Sequence, residues 1–258
     1  MPNWCSNYFK IEGHPRRVVE FIMENFRVFD YESWESFLNK PGVYTFTLEG
    51  LIPTPKGQTG EIIDDWYSWR LSHWGTKWDV GMFAQHFTCK LKSGETILIK
   101  DDKFNSKFFR DNVDSMDVNT PAVLEMVFNS AWTYPFEWYQ RLFTVHEGDD
   151  LKFTYDYYEG GCGFAGEKIV QNNNILEEFH VESNDPVRYY KYLLDKGHED
   201  SDYILSEIYE LYREDYGHLG IEFVDKIYDS TEKAIMELKD NKNEGLARVF
   251  TKLLGIQK

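Results

Sequence analysis

The chain is 258 residues long, 42% hydrophobic and 17% aromatic, with 28 Lys and Arg against 44 Asp and Glu, a formal charge of −16. That length and apolar content suit a large domain, alone or with an appendage, and exclude an intrinsically disordered chain. The acidic surplus excludes a broad phosphate-binding face and attachment to an anionic membrane surface, and it steers the molecule toward basic partners.

Residues 4–12 predict a strand, with Tyr8 and Phe9 suited to a pleated surface and Gly13 ending it. Pro15 fits the first turn of a helix to about Asn25, whose apolar side is Val18, Val19, Phe21 and Ile22. Residues 43–48 alternate as a second strand, and Pro53 and Pro55 end regular pairing beyond it. Residues 62–74 predict a helix apolar nearly all round, stopped by Gly75 in the left-handed C-cap position. So little polar face calls for cover on several sides. Asp64 and Asp65 fall in its first turn, where the helix dipole favours them.

A strand pair follows at residues 83–90 and 96–100, then a polar connection to about residue 120. Residues 123–129 form the next strand, and Pro135 opens a helix over residues 136–146 carrying Trp138, Tyr139, Leu142 and Phe143. Residues 151–158 alternate cleanly, with Phe153, Tyr155 and Tyr157 on one face. Residues 167–170 and 175–181 read as further antiparallel strands. Strand, helix, strand, taken twice, is the split βαβ arrangement of a ferredoxin-like antiparallel sheet in an α+β protein. The piece at residues 57–120 is then an insertion in a domain spanning residues 1–183.

Beyond Pro186 the pattern turns helical, with amphipathic segments at 190–194, 204–212, 221–238 and 246–254. The expectation is an acidic, all-helical C-terminal domain over residues 184–258. Glu199, Asp200, Asp202, Glu207, Glu210, Glu214 and Asp215 make its second helix strongly negative. Most acid runs are solvated faces; the sharper reading is a surface offered to a basic groove on a partner protein.

Met1-Pro2-Asn3-Trp4 offers neither a basic start nor an apolar h-region, and nowhere do eighteen apolar residues run together. Cys5, Cys89 and Cys162 are odd in number and widely spaced, as reduced thiols are. The chain reads as cytoplasmic, with no membrane contact.

Chemistry-bearing motifs are scarce. Gly161-Cys162-Gly163-Phe164-Ala165-Gly166 is a literal GxGxxG, but a strand-like segment follows it, so no helix N-terminus would hold a pyrophosphate. It reads as a hairpin turn. The histidines show no HExxH and no Cys/His ligand spacing, and no nucleophile carries a recognisable partner. No catalytic residue, metal ligand or cofactor is therefore assigned.

The densest feature is the stretch 66–79, which holds half of the eight tryptophans. Its candidate ligand-binding residues are Trp66, Trp69, Arg70, His73, Trp74, Lys77 and Trp78. One reading makes them core filling between helix and sheet. The other makes them a pocket in which indoles stack on a base while Arg and Lys hold phosphate. The surrounding negative field favours a small nucleotide over a nucleic-acid polymer.

Four ordered segments carry a family resemblance: Met-Pro-Asn-Trp-Cys-Ser-Asn at 1–7, Trp-Gly-Thr-Lys-Trp-Asp at 74–79, Ala131-Trp132 with Pro135, and Glu159-Gly160 with Phe164-Ala165-Gly166. In these the chain resembles the YubB ferredoxin-like family of bacteriophages and conjugative plasmids, whose role is not established. Tyr134 and Gly161 stand where a second proline and a proline-glycine type of turn are usual. The resemblance spans about residues 1–181 and implies an accessory protein of a mobile element. Three functions are expected in turn: a non-enzymatic protein that interferes with a host protein, such as a defence protein, through its acidic face; a small-ligand binder such as a nucleotide-signal sponge; and a nucleotide-processing enzyme.

Overall fold

The computed structural model describes residues 3–28, 44–58, 60–185 and six positions between 188 and 197. The chain divides into two compact units, Met1–His180 and Val181–Lys258. The helical segments from residue 198 onward, and with them the acidic cluster at 199–215, lie outside the described residues.

The protein is α+β. Its larger sheet comprises β1 (Trp4–Gly13), β4 (Gly81–Lys90), β5 (Thr96–Lys100), β6 (Ala122–Ala131), β7 (Lys152–Glu159), β8 (Phe164–Gln171) and β9 (Asn174–Glu182), in the order β5-β4-β6-β1-β7-β8-β9. The β1–β6, β1–β7, β4–β5, β4–β6 and β7–β8 pairs are antiparallel. A separate two-stranded sheet joins β2 (Phe26–Val28) to β3 (Tyr44–Phe46). Helix α1 (Pro15–Asn25) follows β1, α2 (Trp66–Trp74) and α3 (Ser106–Asn112) flank the β4–β5 hairpin in sequence, and α4 (Phe136–Val145) joins β6 to β7.

Period-two patterning builds the core. Cys5, Asn7, Phe9 and Ile11 are buried along β1, and their partners Ser130, Phe128, Met126 and Leu124 on β6 are buried with them. Onto this face pack Val18, Phe21 and Ile22 of α1 and Trp138, Tyr139, Leu142 and Phe143 of α4. Phe9 lies at the centre, with ring centroids 5.1 Å from Tyr139, 6.4 Å from Phe21 and 6.5 Å from Trp138. Each such aromatic contributes roughly 1.5–3 kcal/mol by the area it removes from water. On the other face, Trp4, Ser6, Tyr8 and Lys10 of β1 stay partly exposed beside Val123, Glu125, Val127 and Asn129 of β6.

The structure corrects four expectations. The strand expected at 43–48 pairs with β2, not with the large sheet; β4 takes the place beside β6. Residues 57–120 thus supply two strands of the sheet itself. Helix α2 begins at Trp66, not residue 62, so Asp64 lies outside it and Asp65 occupies the N-cap without a side-chain bond. Nor is α2 covered on several sides: only Arg70 and Trp74 are buried, while Tyr67, Leu71 and His73 face solvent. Hydrophobic composition gave the wrong answer because two strong inward anchors suffice to dock a nine-residue helix. Finally, the connection after β5 contains α3, capped by the Asn105 side chain accepting from the Phe108 N–H at 2.7 Å. Among the described residues, no helix is long and apolar enough to cross a membrane.

Candidate functional site

The stretch from Trp74 to Asp79 is a series of buried attachments. The Trp74 indole donates to the Ile52 carbonyl at 2.8 Å. Gly75 then turns with φ 77, and a Cβ there would sit 3.0 Å from the Phe136 nitrogen, so glycine is required twice over. The Thr76 hydroxyl donates to the Ala131 carbonyl at 2.9 Å and accepts from the Ala131 N–H at 3.1 Å. Asp79 accepts from the backbone N–H groups of Leu48 and Val80 at 2.7 and 2.8 Å. Trp138 completes the knot by donating to the Leu48 carbonyl at 3.0 Å. Each polar group is buried and partnered, which ties α2, α4 and the turn at Leu48–Gly50 to the end of β6.

Arg70 also faces inward, with 1% of its surface exposed. Its Nε donates to the Thr54 hydroxyl at 3.1 Å and its Nη2 to Glu49 Oε1 at 3.1 Å. Thr54 in turn donates to both Glu49 oxygens, through its hydroxyl at 2.5 Å and its backbone N–H at 2.9 Å. The guanidinium carbon lies 4.4 Å from the Trp74 ring centroid and 5.4 Å from that of Trp66.

The remaining cluster residues reach the surface. His73 stacks on Trp69 with centroids 4.2 Å apart, and its Nδ1 lies 2.8 Å from the Trp69 carbonyl, the tautomer that makes this nitrogen the donor. The Lys77 ammonium sits 4.7 Å from the Trp78 ring and 5.5 Å from the Tyr67 ring. Among the described residues, Lys77 makes no ion pair with a carboxylate. Trp78 in turn lies 5.9 Å from Trp4. An open cleft of about 440 Å³ at the start of α2 is lined by Ile62, Ile63, Asp64 and Trp66. The seven predicted residues therefore divide: Arg70 and Trp74 hold the fold, and Trp66, Trp69, His73, Lys77 and Trp78 remain partly or fully open to solvent.

The four segments that carry the family resemblance meet at this end of the sheet. Trp4 pairs with Ala131, Ser6 with Tyr158, Thr76 grips Ala131, and the Trp132 N–H donates to the Asn3 carbonyl at 2.9 Å. Glu159 is buried and accepts from the Gly161 N–H at 3.1 Å and from the Cys162 N–H, closing the β7–β8 turn. The GxGxxG is a hairpin turn leading into β8. Hydrogen bonding to Glu159 holds the Cys162 thiol above its ordinary pKa, and burial raises Cys5 much further. Neither thiol is primed as a nucleophile.

Sequence reasoning missed three members of this surface: Trp4, Tyr67 and Trp132. Two of them stood in the quoted segments, but their exposure depends on chain crossings that no local pattern encodes. Among the described residues, no three His, Cys, Asp or Glu side chains gather as a metal site requires. Comparison with protein-family models, with curated proteins and with solved structures finds no match.

Proposed function

We propose that this chain is a recognition protein of a phage or conjugative plasmid, built on a ferredoxin-like sheet of the YubB kind. It captures a small nucleotide-like anion at the exposed half of its tryptophan cluster. The fold reading is supported by the central strand order β4-β6-β1-β7, with α1 between β1 and β4 in sequence and α4 joining β6 to β7. The family reading is supported by the meeting of its four segments at one end of the sheet.

One observation carries the ligand reading. In a chain of charge −16, the Lys77 ammonium lies near two aromatic rings and, among the described residues, pairs with no carboxylate. An ammonium so placed can accept a phosphate without first giving up an internal ion pair. The flanking aromatic rings supply stacking surface, and the field of the whole molecule opposes a long polyanion.

Titration calorimetry with the four ribonucleoside monophosphates tests this reading. Lys77→Met removes the charge and keeps much of the stem, so the dissociation constant should rise about tenfold or more, the worth of one charge-assisted contact. Neutral nucleosides should bind wild type and variant alike. Absence of binding and of tryptophan quenching across the panel rejects the proposal.

A second reading, capture of a basic host protein, rests on the seven acids clustered at residues 199–215. Complex formation should then weaken steeply with added salt. A partner held equally well at low and high ionic strength rejects it.

A further inference from the structure

Trp132 is the outlier of the sheet end. Its backbone lies at φ 70, a left-handed conformation that disfavours bulky L residues and that glycine adopts freely. Hydrogen bonds hold it there on both sides. Thr76 grips both backbone groups of Ala131, Asn3 accepts the Trp132 N–H at 2.9 Å, and the Ser130 hydroxyl donates to the Thr133 carbonyl at 2.7 Å. Strain of this kind is normally met by glycine or asparagine, or offset by burying the side chain. Here neither holds: 48% of Trp132 is exposed, and its indole makes no ring stack or cation contact among the described residues. The fold thus keeps the largest side chain at a position whose backbone asks for the smallest.

The position adjoins Lys77 through two short links. Trp132 follows Ala131, which is bonded to Thr76, and Lys77 follows Thr76. Likewise Asn3, which accepts the Trp132 N–H, precedes Trp4, whose ring neighbours Trp78. Lys77 and Trp132 thus each lie one residue beyond an end of the Thr76–Ala131 bond, which offers one ammonium and one indole at the same end of the sheet, the two groups a single nucleotide needs.

We infer that Trp132 is the base-stacking residue of the Lys77 site, and that the ligand is a single nucleotide whose base lies on the Trp132 indole while its phosphate meets the Lys77 ammonium. The inference rests on the ligand reading proposed above and adds to it the stacking residue and the ligand's size. A free indole face binds any base, because every base has a π-face, so affinity should vary little among the four nucleotides.

The test uses the full chain, with Trp132→Gly as the main variant and Trp132→Asn as a second that also tolerates the left-handed backbone. Probes are AMP, GMP, CMP, UMP, inorganic phosphate and a ten-residue thymidine oligonucleotide. Relief of backbone strain offsets the lost apolar contact, so the melting temperature of each variant should stay within about 4 °C of wild type. Affinity for every mononucleotide should fall by roughly 5- to 150-fold, the range for losing one base–aromatic stack. Trp132→Phe should retain most of it, and inorganic phosphate should respond to Lys77→Met but not to Trp132→Gly. Undiminished nucleotide binding by folded Trp132→Gly, alongside loss in Lys77→Met, overturns this inference and leaves the ligand reading standing. An oligonucleotide that binds more tightly than the mononucleotides overturns the single-nucleotide assignment. Failure of wild type to bind any nucleotide removes both.

Discussion

Replacing Arg70 with methionine separates a structural guanidinium from a ligand-binding one. Methionine keeps the flexible apolar stem and removes the fork. The hydrogen bonds to Glu49 and to the Thr54 hydroxyl are lost, the charge-assisted one to Glu49 alone about 1.5–3 kcal/mol, together with contacts over the Trp74 and Trp66 rings of about 0.5–1 kcal/mol each. The cost stays at the lower end of the roughly 3–5 kcal/mol seen when a fully buried pair is broken, because Glu49 keeps both bonds from Thr54 and 30% of its side-chain exposure. The balance is about 3 kcal/mol, which lowers the melting temperature by roughly 6–12 °C in a chain of this size. Circular dichroism on heating, repeated as a urea titration, measures it. Arg70→Lys should recover only part of the loss, since an ammonium cannot reach Thr54 and Glu49 as one rigid fork does. A double-mutant cycle with Glu49→Gln should give a coupling of about 1 kcal/mol or more. A melting temperature within about 2 °C of wild type would refute the assignment. So would Arg70→Met that weakens nucleotide binding at unchanged stability, because the guanidinium would then serve the ligand.

Three further outcomes follow from individual side chains. Gly75→Ala should destabilise by at least about 1–2 kcal/mol, from the left-handed φ together with a Cβ crowding the start of α4; unchanged urea unfolding would show that the loop relaxes freely. A charged alkylating reagent should modify Cys162 alone in the native protein and all three cysteines in denaturant, and Glu159→Gln should speed the native reaction; early labelling of Cys5 or Cys89 would contradict their burial. Burial pushes the Cys89 thiol up to about 11, so the folded state holds this proton more tightly than the unfolded chain. Its contribution to stability is complete below the unfolded thiol's pKa near 8.5 and is lost as pH rises through about 11. The urea midpoint should therefore fall across that window in wild type and fall less in Cys89→Ala; equal slopes would assign alkaline unfolding to other groups, beginning with the buried tyrosines 139, 155 and 157.

Local pattern and chain topology contributed differently. The spans of β1, α1 and α4 are legible because each combines one clear period with a punctuating proline or glycine. The alternation of Phe153, Tyr155 and Tyr157 likewise marks one face of β7, and all three are buried. Helix α2 was misjudged at its start and in its cover, since tryptophan content resembles burial whether or not a partner surface exists. The short strand at Tyr44–Phe46 has a sound local pattern, yet its partner is β2, a choice set by where the chain returns after α1.

Local sequence is enough to make this an acidic α+β protein with an alternating antiparallel sheet and a tryptophan-rich segment closed by a left-handed glycine. Those properties depend on neighbours a few residues apart. It is the folded arrangement that turns Arg70 and Trp74 inward, leaves Lys77 without a carboxylate among the described residues, and holds Trp132 exposed. Both outcomes come from bonds spanning long stretches of chain, from Arg70 to Glu49 and from Trp132 to Asn3. The burial of a side chain is a property of the surfaces that meet around it, and those surfaces come from distant parts of the chain.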